Sequence, residues 1–328
     1  MRFASRGSRL ALAQAEEVAR DVRAAWPGLD LAVTIEVVRT RGDALTDRSV
    51  AAIGKGAFVN EVRQAVLDGR ADVAVHSYKD LPTDPAPGLR VAAVPMRADP
   101  RDVLITRTGK VFQYLPAGAR IGTGSGRRAG QLLRRRSDLV AEPMRGNIDT
   151  RLAKLDAGEH DAIVLAAAGL ARIGLLDRVT EYFDYDLMIP APGQGALALE
   201  IREDDDATAA RLAPLHDEHS AYAVLAERTC LRVLGGGCNV PIGVHAITDG
   251  DAMAIFGIVL TPDGTRAARM RWSGPWRQAD DLGETLAELL QSIGAREILS
   301  GAPIPPTVRF ATRQPREAEG PDGAWPAR

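Results

Sequence analysis

The same order of strands and helices is predicted twice along this 328-residue chain. Residues 1–95 alternate β-rich and helical patterns up to a buried strand at Asp72–Val75, and residues 101–189 repeat this alternation. Part of the local sequence recurs too, because Leu67–Val75 resembles Leu155–Val164. A strand–helix–strand order places parallel strands in one sheet covered by helices. The sequence therefore predicts an α/β protein with two similar lobes. Convergence is the alternative explanation, since α/β helices often end in glycine before a strand.

The rest of the chain predicts a third unit and a tail. The turn-rich stretch Ile189–Ala196 is expected to return the chain to the first lobe. A helical pattern at Tyr222–Leu234 is followed by three β-rich segments separated by Asp-Gly turns, which is typical of an antiparallel meander. We therefore expect four parts: lobe 1 at residues 1–95 and 193–217, lobe 2 at 96–192, a smaller α+β domain at 218–302, and a disordered Pro-rich, charged tail at 303–328.

Composition argues against several classes of protein. The net charge is −2 and aromatic residues make up 5% of the chain, which does not favour nucleic-acid binding. No apolar run is long enough to cross a membrane, and the first residues lack the apolar core of a signal peptide. Two cysteines make a poor disulfide framework, and no His/Cys cluster has metal-ligand spacing. We expect a cytoplasmic protein without a metal, nucleic-acid or membrane partner.

Two segments at predicted helix N-termini are candidates for anion binding. Ser5-Arg6-Gly7-Ser8 combines a guanidinium with a helix N-terminus, although a simple capped helix start explains it equally well. In Gly122-Thr123-Gly124-Ser125-Gly126-Arg127-Arg128, small residues let backbone N–H groups converge on an anion, and two arginines add charge. The second segment also loosely fits a dinucleotide-binding fingerprint, so a nicotinamide-dependent oxidoreductase is a competing hypothesis.

A third segment, Met144-Arg145-Gly146-Asn147, is followed by Arg151 within the next predicted helix. A single arginine is most often a solvated surface charge. Several near three predicted strand ends indicate a ligand with multiple carboxylates or phosphates, and the members of this group are Arg6, Arg127, Arg128, Arg145 and Arg151. We expect the arginines to act on ligand binding rather than on folding, because a structural role would leave their charges unpaired.

Two further residues are candidates for chemistry. Asp80 ends the segment His76-Ser77-Tyr78-Lys79-Asp80, directly after a buried strand, and a carboxylate facing many cations should be ionised and able to hold N–H groups of a substrate. A turn cap is the competing interpretation. Cys238 follows the glycines at 235–237, where a bulky group can approach closely, whereas Cys230 lies in a predicted helix and reads as a small apolar residue.

Together these motifs resemble the porphobilinogen deaminases. The resemblance runs from Arg2 to about Leu299, and five segments keep the family's order and spacing: Ser5-Arg6-Gly7-Ser8, His76-Ser77-x-Lys79-Asp80, Gly122-Thr123-x-Ser125-x-Arg127-Arg128, Arg145-Gly146-Asn147 and Gly236-Gly237-Cys238-x-Val240-Pro241. It implies two lobes like those of periplasmic binding proteins, with mixed, largely parallel sheets, and a third domain that carries the cofactor cysteine. It also implies a transferase of tetrapyrrole (heme-type) biosynthesis, which condenses four porphobilinogens with loss of ammonia and releases hydroxymethylbilane.

The resemblance implies specific roles for residues. A dipyrromethane cofactor is attached by a thioether to Cys238, and Asp80 contacts pyrrole nitrogens and stabilises the positive charge that develops there. The cofactor would contact Ser77, Lys79, Asp80, Thr123, Ser125, Arg127, Arg128, Arg145 and Gly146. The substrate would contact Arg6, Ser8, Gln14, Arg145, Arg151 and Arg172. We expect a monomer whose partner is the small molecule porphobilinogen.

The chain departs from the family's pattern at four positions. Gly124 and Gly126 replace a common serine and leucine, Gly235 replaces a common acidic residue, and Asn60 stands where many relatives have lysine. A non-enzymatic anion-binding protein with the same two lobes is the main alternative function. It would need neither the anchor cysteine nor the acid.

Overall fold

The structure, a computed structural model, describes residues 1–29, 31–38, 59–236 and 240–302. Cys238 and the expected disordered tail at 303–328 lie outside the described residues. The strands in chain order are β1 (Arg2–Arg6), β2 (Thr34–Val38), β3 (Val73–Ser77), β4 (Leu89–Ala93), β5 (Asp102–Thr106), β6 (Arg120–Gly122), β7 (Val140–Glu142), β8 (Ala162–Ala166), β9 (Glu181–Tyr182), β10 (Leu197–Arg202), β11 (Ile242–Asp249), β12 (Ala252–Leu260) and β13 (Ala267–Pro275).

The helices cover the faces of the sheets. In chain order they are α1 (Arg9–Ala25), α2 (Asn60–Leu67), α3 (Gly126–Arg135), α4 (Ile148–Asp156), α5 (Ala167–Arg172), α6 (Asp206–Leu212), α7 (Glu218–Val233), α8 (Ala279–Ser292) and α9 (Ala295–Ser300). The first helix shows why they form: Ser8 caps it by accepting a hydrogen bond from the Ala11 N–H at 3.3 Å. Its Ala15, Val18 and Val22 then recur on one face and are fully buried against the first sheet.

The first two sheets have the same topology. Their strand orders are β2-β1-β3-β10-β4 and β7-β6-β8-β5-β9. In each, the first three strands are parallel and the fourth is antiparallel to both of its neighbours. Four strands of each five therefore run in one direction, which confirms the predicted mixed, largely parallel sheets. The local pattern predicted only parallel strands, because each antiparallel strand comes from a segment that crosses between the sheets.

Two crossings link these sheets. The chain passes to the second sheet between β4 and β5, and it returns between β9 and β10. On its return it pairs with β3, so that Leu197 lies opposite Ser77. The end of β3 and the turn that follows it are therefore held beside the point of return.

The third sheet is an antiparallel meander in the order β11-β12-β13, and α7, α8 and α9 pack on it. This confirms the smaller α+β C-terminal unit. Its β12–β13 turn lies against α3 of the second sheet: a Cβ at Gly130 would lie 2.5 Å from the Thr261 carbonyl oxygen, so only glycine allows this approach. Within the described residues, no helix is long and apolar enough to span a membrane.

Candidate functional site

The N-terminus of α1 and the end of β3 are tied together by a side-chain hydrogen bond. The buried Gln14 donates from Nε2 to Oγ of Ser77 at 2.8 Å. Arg6 is the last residue of β1, and Ser8 is the N-cap of the helix that follows it. The structure thus brings these predicted residues to one end of the first sheet, where the positive end of the α1 dipole favours an anion.

A single 3₁₀ turn, Tyr78–Asp80, follows β3. Its first N–H donates to the carbonyl of Ala196 at 3.0 Å, and Leu81 N–H closes the turn by donating to the Tyr78 carbonyl at 3.1 Å. Lys79 Nζ donates to Oε1 of Gln194 at 3.3 Å. Asp80 is exposed. The turn therefore presents a lysine toward the interior and a carboxylate that a ligand can reach.

Asp102, the first residue of β5, pairs with the two arginines in the first turn of α3. Its Oδ2 accepts from Arg127 Nη1 at 2.7 Å, while its Oδ1 accepts from Arg128 Nε at 2.9 Å and Nη2 at 2.7 Å. A further hydrogen bond comes from Gln194 Nε2 at 3.0 Å. Burial alone would raise the pKa of Asp102, but the two guanidinium groups hold it well below its usual range. The carboxylate is therefore ionised and fixes the start of α3.

This pairing corrects one expectation drawn from the sequence. A structural role was expected to leave the charges of Arg127 and Arg128 unpaired, and that is wrong, because Asp102 neutralises part of their charge. The side chains of the two arginines are only 5% and 8% exposed. Arg128 also donates from Nη1 to the Val164 carbonyl at 2.9 Å, so all three of its nitrogens are engaged. Within the described residues, Arg127 makes its hydrogen bonds from Nη1 alone.

Positive charge still exceeds negative charge at this site. Burial lowers the pKa of Lys79 to about 8; Asp80 opposes the shift, while Arg128 and Arg127 add to it. Burial, assisted by Arg128, lowers the pKa of Arg151 to about 10. A lowered pKa on a cation means that its charged form is destabilised until an anion arrives. The site is therefore built to receive negative charge.

The remaining predicted residues of the second sheet lie near the starts of α3 and α4. Thr123 Oγ1 accepts from the Ser125 N–H at 3.2 Å, and Ser125 caps α3. Arg145 is exposed, and Gly146 has a φ of +109°. A Cβ on this glycine would lie 2.8 Å from the Thr150 side chain, so the position requires glycine. Arg151 donates from Nε to the Gly146 carbonyl at 2.8 Å, which ties α4 to this loop.

Arg172, at the end of α5, reaches across to the first sheet. It donates from Nε to Oε2 of Glu17 in α1 at 2.8 Å and from Nη2 to the Gly195 carbonyl at 3.2 Å. It therefore joins the two halves of the site. Arg9 adds a second link by pairing with Asp149 at 2.8 Å.

The departures at Gly124 and Gly126 have different structural meanings. A Cβ at Gly124 would lie 2.7 Å from the Met144 carbonyl oxygen, so this backbone leaves no room for a side chain there. A Cβ at Gly126 would lie 3.7 Å from Cβ of Pro241, an ordinary contact. Pro241, three residues after Cys238 in the sequence, therefore lies beside the first residue of α3. Gly235 follows the end of α7 with a φ of +68°, a left-handed conformation that favours glycine over the acidic residue common there. Nothing in the structure explains the departure at Asn60.

Sequence reasoning missed two residues of this site, Asp102 and Gln194. The sequence carried only a weak signal for them. Asp102 is an acidic residue at the start of the otherwise apolar strand Asp102-Val103-Leu104-Ile105, and Gln194 lies between two glycines. The described residues contain no cluster of three side chains suited to a metal, and no metal was expected.

Comparisons with known proteins agree with the resemblance. Residues 1–210 match the family model described as "Porphobilinogen deaminase, dipyromethane cofactor binding domain", and residues 221–292 match "Porphobilinogen deaminase, C-terminal domain". A curated porphobilinogen deaminase of Syntrophotalea carbinolica is 46% identical over 308 residues, covering 94% of this chain and 97% of the relative. One from Syntrophobacter fumaroxidans is 47% identical, covering 91% and 96%.

Likeness to solved structures is weaker. A putative methionine-binding lipoprotein from Bacillus subtilis has a TM-score of 0.42 and 14% identity, covering 67% of this chain and 91% of that one. At this score the likeness supports no argument about function.

Proposed function

The chain belongs to the porphobilinogen deaminase family, and we propose that its residues perform the family's reaction in the roles argued below. It is a transferase, a hydroxymethylbilane synthase, with a dipyrromethane cofactor. It joins four porphobilinogens in turn, each with loss of ammonia, to give the linear tetrapyrrole. Membership of this family decides against both the non-enzymatic anion-binding protein and the nicotinamide-dependent oxidoreductase.

The excess of buried positive charge is the observation that carries the assignment of the cofactor site. A dipyrromethane carries acetate and propionate carboxylates, and burial together with neighbouring arginines lowers the pKa values of Lys79 and Arg151, so a bound carboxylate would stabilise their charged forms. The cofactor would be held by Ser77, Lys79, Thr123, Ser125, Arg127, Arg128, Arg145 and Gly146, with its thioether on Cys238. When bound, it supplies the primer pyrrole that receives the first substrate unit. The position of Pro241 beside Gly126 supports this, because Pro241 is only three residues from Cys238 in the sequence.

The substrate carboxylates are assigned to residues at the end of β1 and around α4 and α5. Arg6 and Ser8 lie at the N-terminus of α1, and Arg145 and Arg151 lie at the start of α4. Gln14 acts through Ser77, whose hydroxyl it holds. Arg172 donates to Glu17 from Nε and to the Gly195 carbonyl from Nη2, so its guanidinium is already held in place for a substrate carboxylate. Each charge-assisted hydrogen bond contributes about 1.5–3 kcal/mol when it is shielded from water.

Asp80 is assigned the catalytic role. Loss of ammonia from porphobilinogen leaves an electrophilic azafulvene with positive charge spread over the pyrrole. A carboxylate near the pyrrole N–H stabilises that charge more than it stabilises the uncharged ring, which lowers the barrier. The exposed carboxylate at the end of the Tyr78–Asp80 turn can reach a ligand, and Lys79 beside it can bind a carboxylate of the same ligand.

The small molecule porphobilinogen is the substrate. We further propose that the protein acts as a monomer in the cytoplasm and needs neither a nucleic acid nor a membrane. The small excess of acidic residues over basic ones supports the absence of a nucleic-acid partner.

The anchor cysteine can be tested against an internal control. Cys230 lies in α7, fully buried, and burial raises the pKa of its thiol far above the usual value, so this thiol is unreactive. We expect Cys238→Ser protein to lack the cofactor mass and to be inactive, whereas Cys230→Ser protein keeps both. Intact mass spectra and peptide mapping of both variants and the wild type measure this. An adduct mapped to Cys230 would overturn the assignment.

A further inference from the structure

One arginine of α7 holds the turn that carries Asp80. Arg228 donates from Nη1 to the Leu81 carbonyl at 3.0 Å and from Nη2 to the Pro82 carbonyl. Its guanidinium also lies over the Tyr78 ring, with Cζ 4.7 Å from the ring centroid. A planar guanidinium can donate to two carbonyls from its edge while its face stacks on an aromatic ring, whereas an ammonium has no planar face to stack. Arg228 therefore contacts the residues on both sides of the Lys79-Asp80 pair.

The turn is packed on α7 as well as hydrogen-bonded to it. Tyr78 is partly buried against a small apolar cluster that includes Val224. Val224 lies one helical turn before Arg228 and so on the same face of α7. Burial raises the pKa of the Tyr78 hydroxyl, so the ring is neutral beneath the guanidinium. The turn thus rests on one helix face of the C-terminal unit, although it follows a strand of the first sheet.

The helix itself is anchored independently of Arg228. The adjacent Glu227 is fully buried and accepts hydrogen bonds from Arg97 Nη1 at 2.7 Å, from the Gly193 N–H at 2.6 Å and from the Ala246 N–H at 2.8 Å. These contacts fix α7 to both crossings between the sheets. Loss of the Arg228 side chain should therefore release the turn without displacing the helix.

The same helix leads to the proposed cofactor anchor. α7 ends at Val233, and five residues later in the sequence comes Cys238. From Arg228 to Val233 the helix rises only about 7.5 Å, at about 1.5 Å per residue. The turn that carries Asp80 is therefore held by the same helix, α7, that precedes Cys238 in the sequence.

We propose that Arg228 is a positioning residue: it fixes the Tyr78–Pro82 segment on α7 so that the Asp80 carboxylate keeps its position relative to the chain end growing from Cys238. This rests on the catalytic role proposed for Asp80. A displacement of about 1 Å in a reacting group can cost about a hundredfold in rate. Arg228→Met, which keeps an unbranched stem and loses the guanidinium with its hydrogen bonds, is expected to lower kcat by about ten- to a hundredfold. In protein that already carries its covalent cofactor, the KM for porphobilinogen should change little.

The decisive measurement is a double-mutant cycle on the cofactor-loaded protein. If Arg228 acts through Asp80, then Arg228→Met should have no further effect on kcat in an Asp80→Asn background. Multiplicative losses would overturn the proposal, and so would a normal kcat in the single Arg228→Met variant. A normal rate in Asp80→Asn alone would instead overturn the role of Asp80, so the two failures are distinguishable.

Two further variants separate the proposed role of Arg228 from a general effect of substitutions in α7. Arg232→Met is the matched control, because Arg232 lies on the same helix, is half exposed and contacts Glu284 at 3.5 Å; it should leave kcat unchanged. Arg228→Lys keeps the charge and can reach one carbonyl, so it should fall between the wild type and Arg228→Met. If Arg228→Met does not fold, a wild-type kcat in Arg228→Lys overturns the proposal and a reduced kcat with a full cofactor mass supports it.

Discussion

Arg128 donates two hydrogen bonds to a single oxygen of Asp102, which joins the first turn of α3 to the first residue of β5. The pair is buried, and Gln194 from the second crossing donates a third hydrogen bond to the same oxygen. The positions of Arg127 and Arg128 thus depend on an acid that no ligand needs to contact.

Loss of that acid should destabilise the protein more than loss of one arginine. Asp102→Asn leaves two buried guanidinium groups without a counter-charge, which typically costs about 3–5 kcal/mol. Arg127→Leu should cost less, because Arg128 and Gln194 still satisfy Asp102, but it should load less cofactor. Urea unfolding at pH 7 measures the free energies. Asp99→Asn is the control, since its half-exposed pair with Arg101 should contribute no more than about 1 kcal/mol. Equal stability of Asp102→Asn and Asp99→Asn would contradict the structural role.

Asp80→Asn should fold normally, because the side chain is exposed, and should turn over at least about a hundredfold more slowly, the usual loss when one electrostatic contact to the transition state is removed. Asp80→Glu should retain more activity, because the charge survives at a displaced position. Single-turnover release of ammonia is the measurement, with Asp84→Asn, another exposed acid of the same segment, as the control. Release by Asp80→Asn at nearly the wild-type rate would remove this residue from catalysis.

Loading of cofactor-free protein should depend on pH through Lys79. Its pKa is lowered to about 8, so the ammonium that binds carboxylates is present below this pH and is lost as the pH rises through it. We expect loading by porphobilinogen to weaken between pH 7 and pH 9. Lys79→Arg should load with little change over the same range, because a guanidinium stays protonated. Intact mass after incubation at each pH measures the loaded fraction; a wild-type profile as flat as that of the arginine variant would contradict the prediction.

The tail is expected to be dispensable. Residues 306–328 are rich in Pro, Gly and charge and lack a periodic apolar pattern, so they offer little to pack on the body. Deletion of Pro306–Arg328 should leave turnover and Tm nearly unchanged. A large fall in either quantity would mean that the tail docks.

The repeated order of elements was enough to predict two similar sheets, because strand and helix periodicities are local properties of the sequence. The antiparallel strands were not predictable in this way, since β10 pairs with β3 and β4 across more than a hundred residues of sequence. The residues of the site divide in the same way into those with a local sequence signal and those placed by long-range contacts. Residues at strand ends could be named from motifs, whereas the contact of Gln194 with Asp102 spans 92 positions and leaves no local signal. The roles of the named residues stay predictions.

The place of β10 has a consequence for synthesis on the ribosome. It lies between β3 and β4, yet it is made about a hundred residues after them, and all five strands of the second sheet come in between. At roughly 5–20 residues per second, β3 and β4 wait about 5–20 s for the strand that joins them. During that interval both have open edges, which can pair with another chain. The second sheet, whose strands are contiguous in sequence, can close first. During synthesis the second sheet can therefore be complete before the first sheet, although the first sheet contains the N-terminal strands.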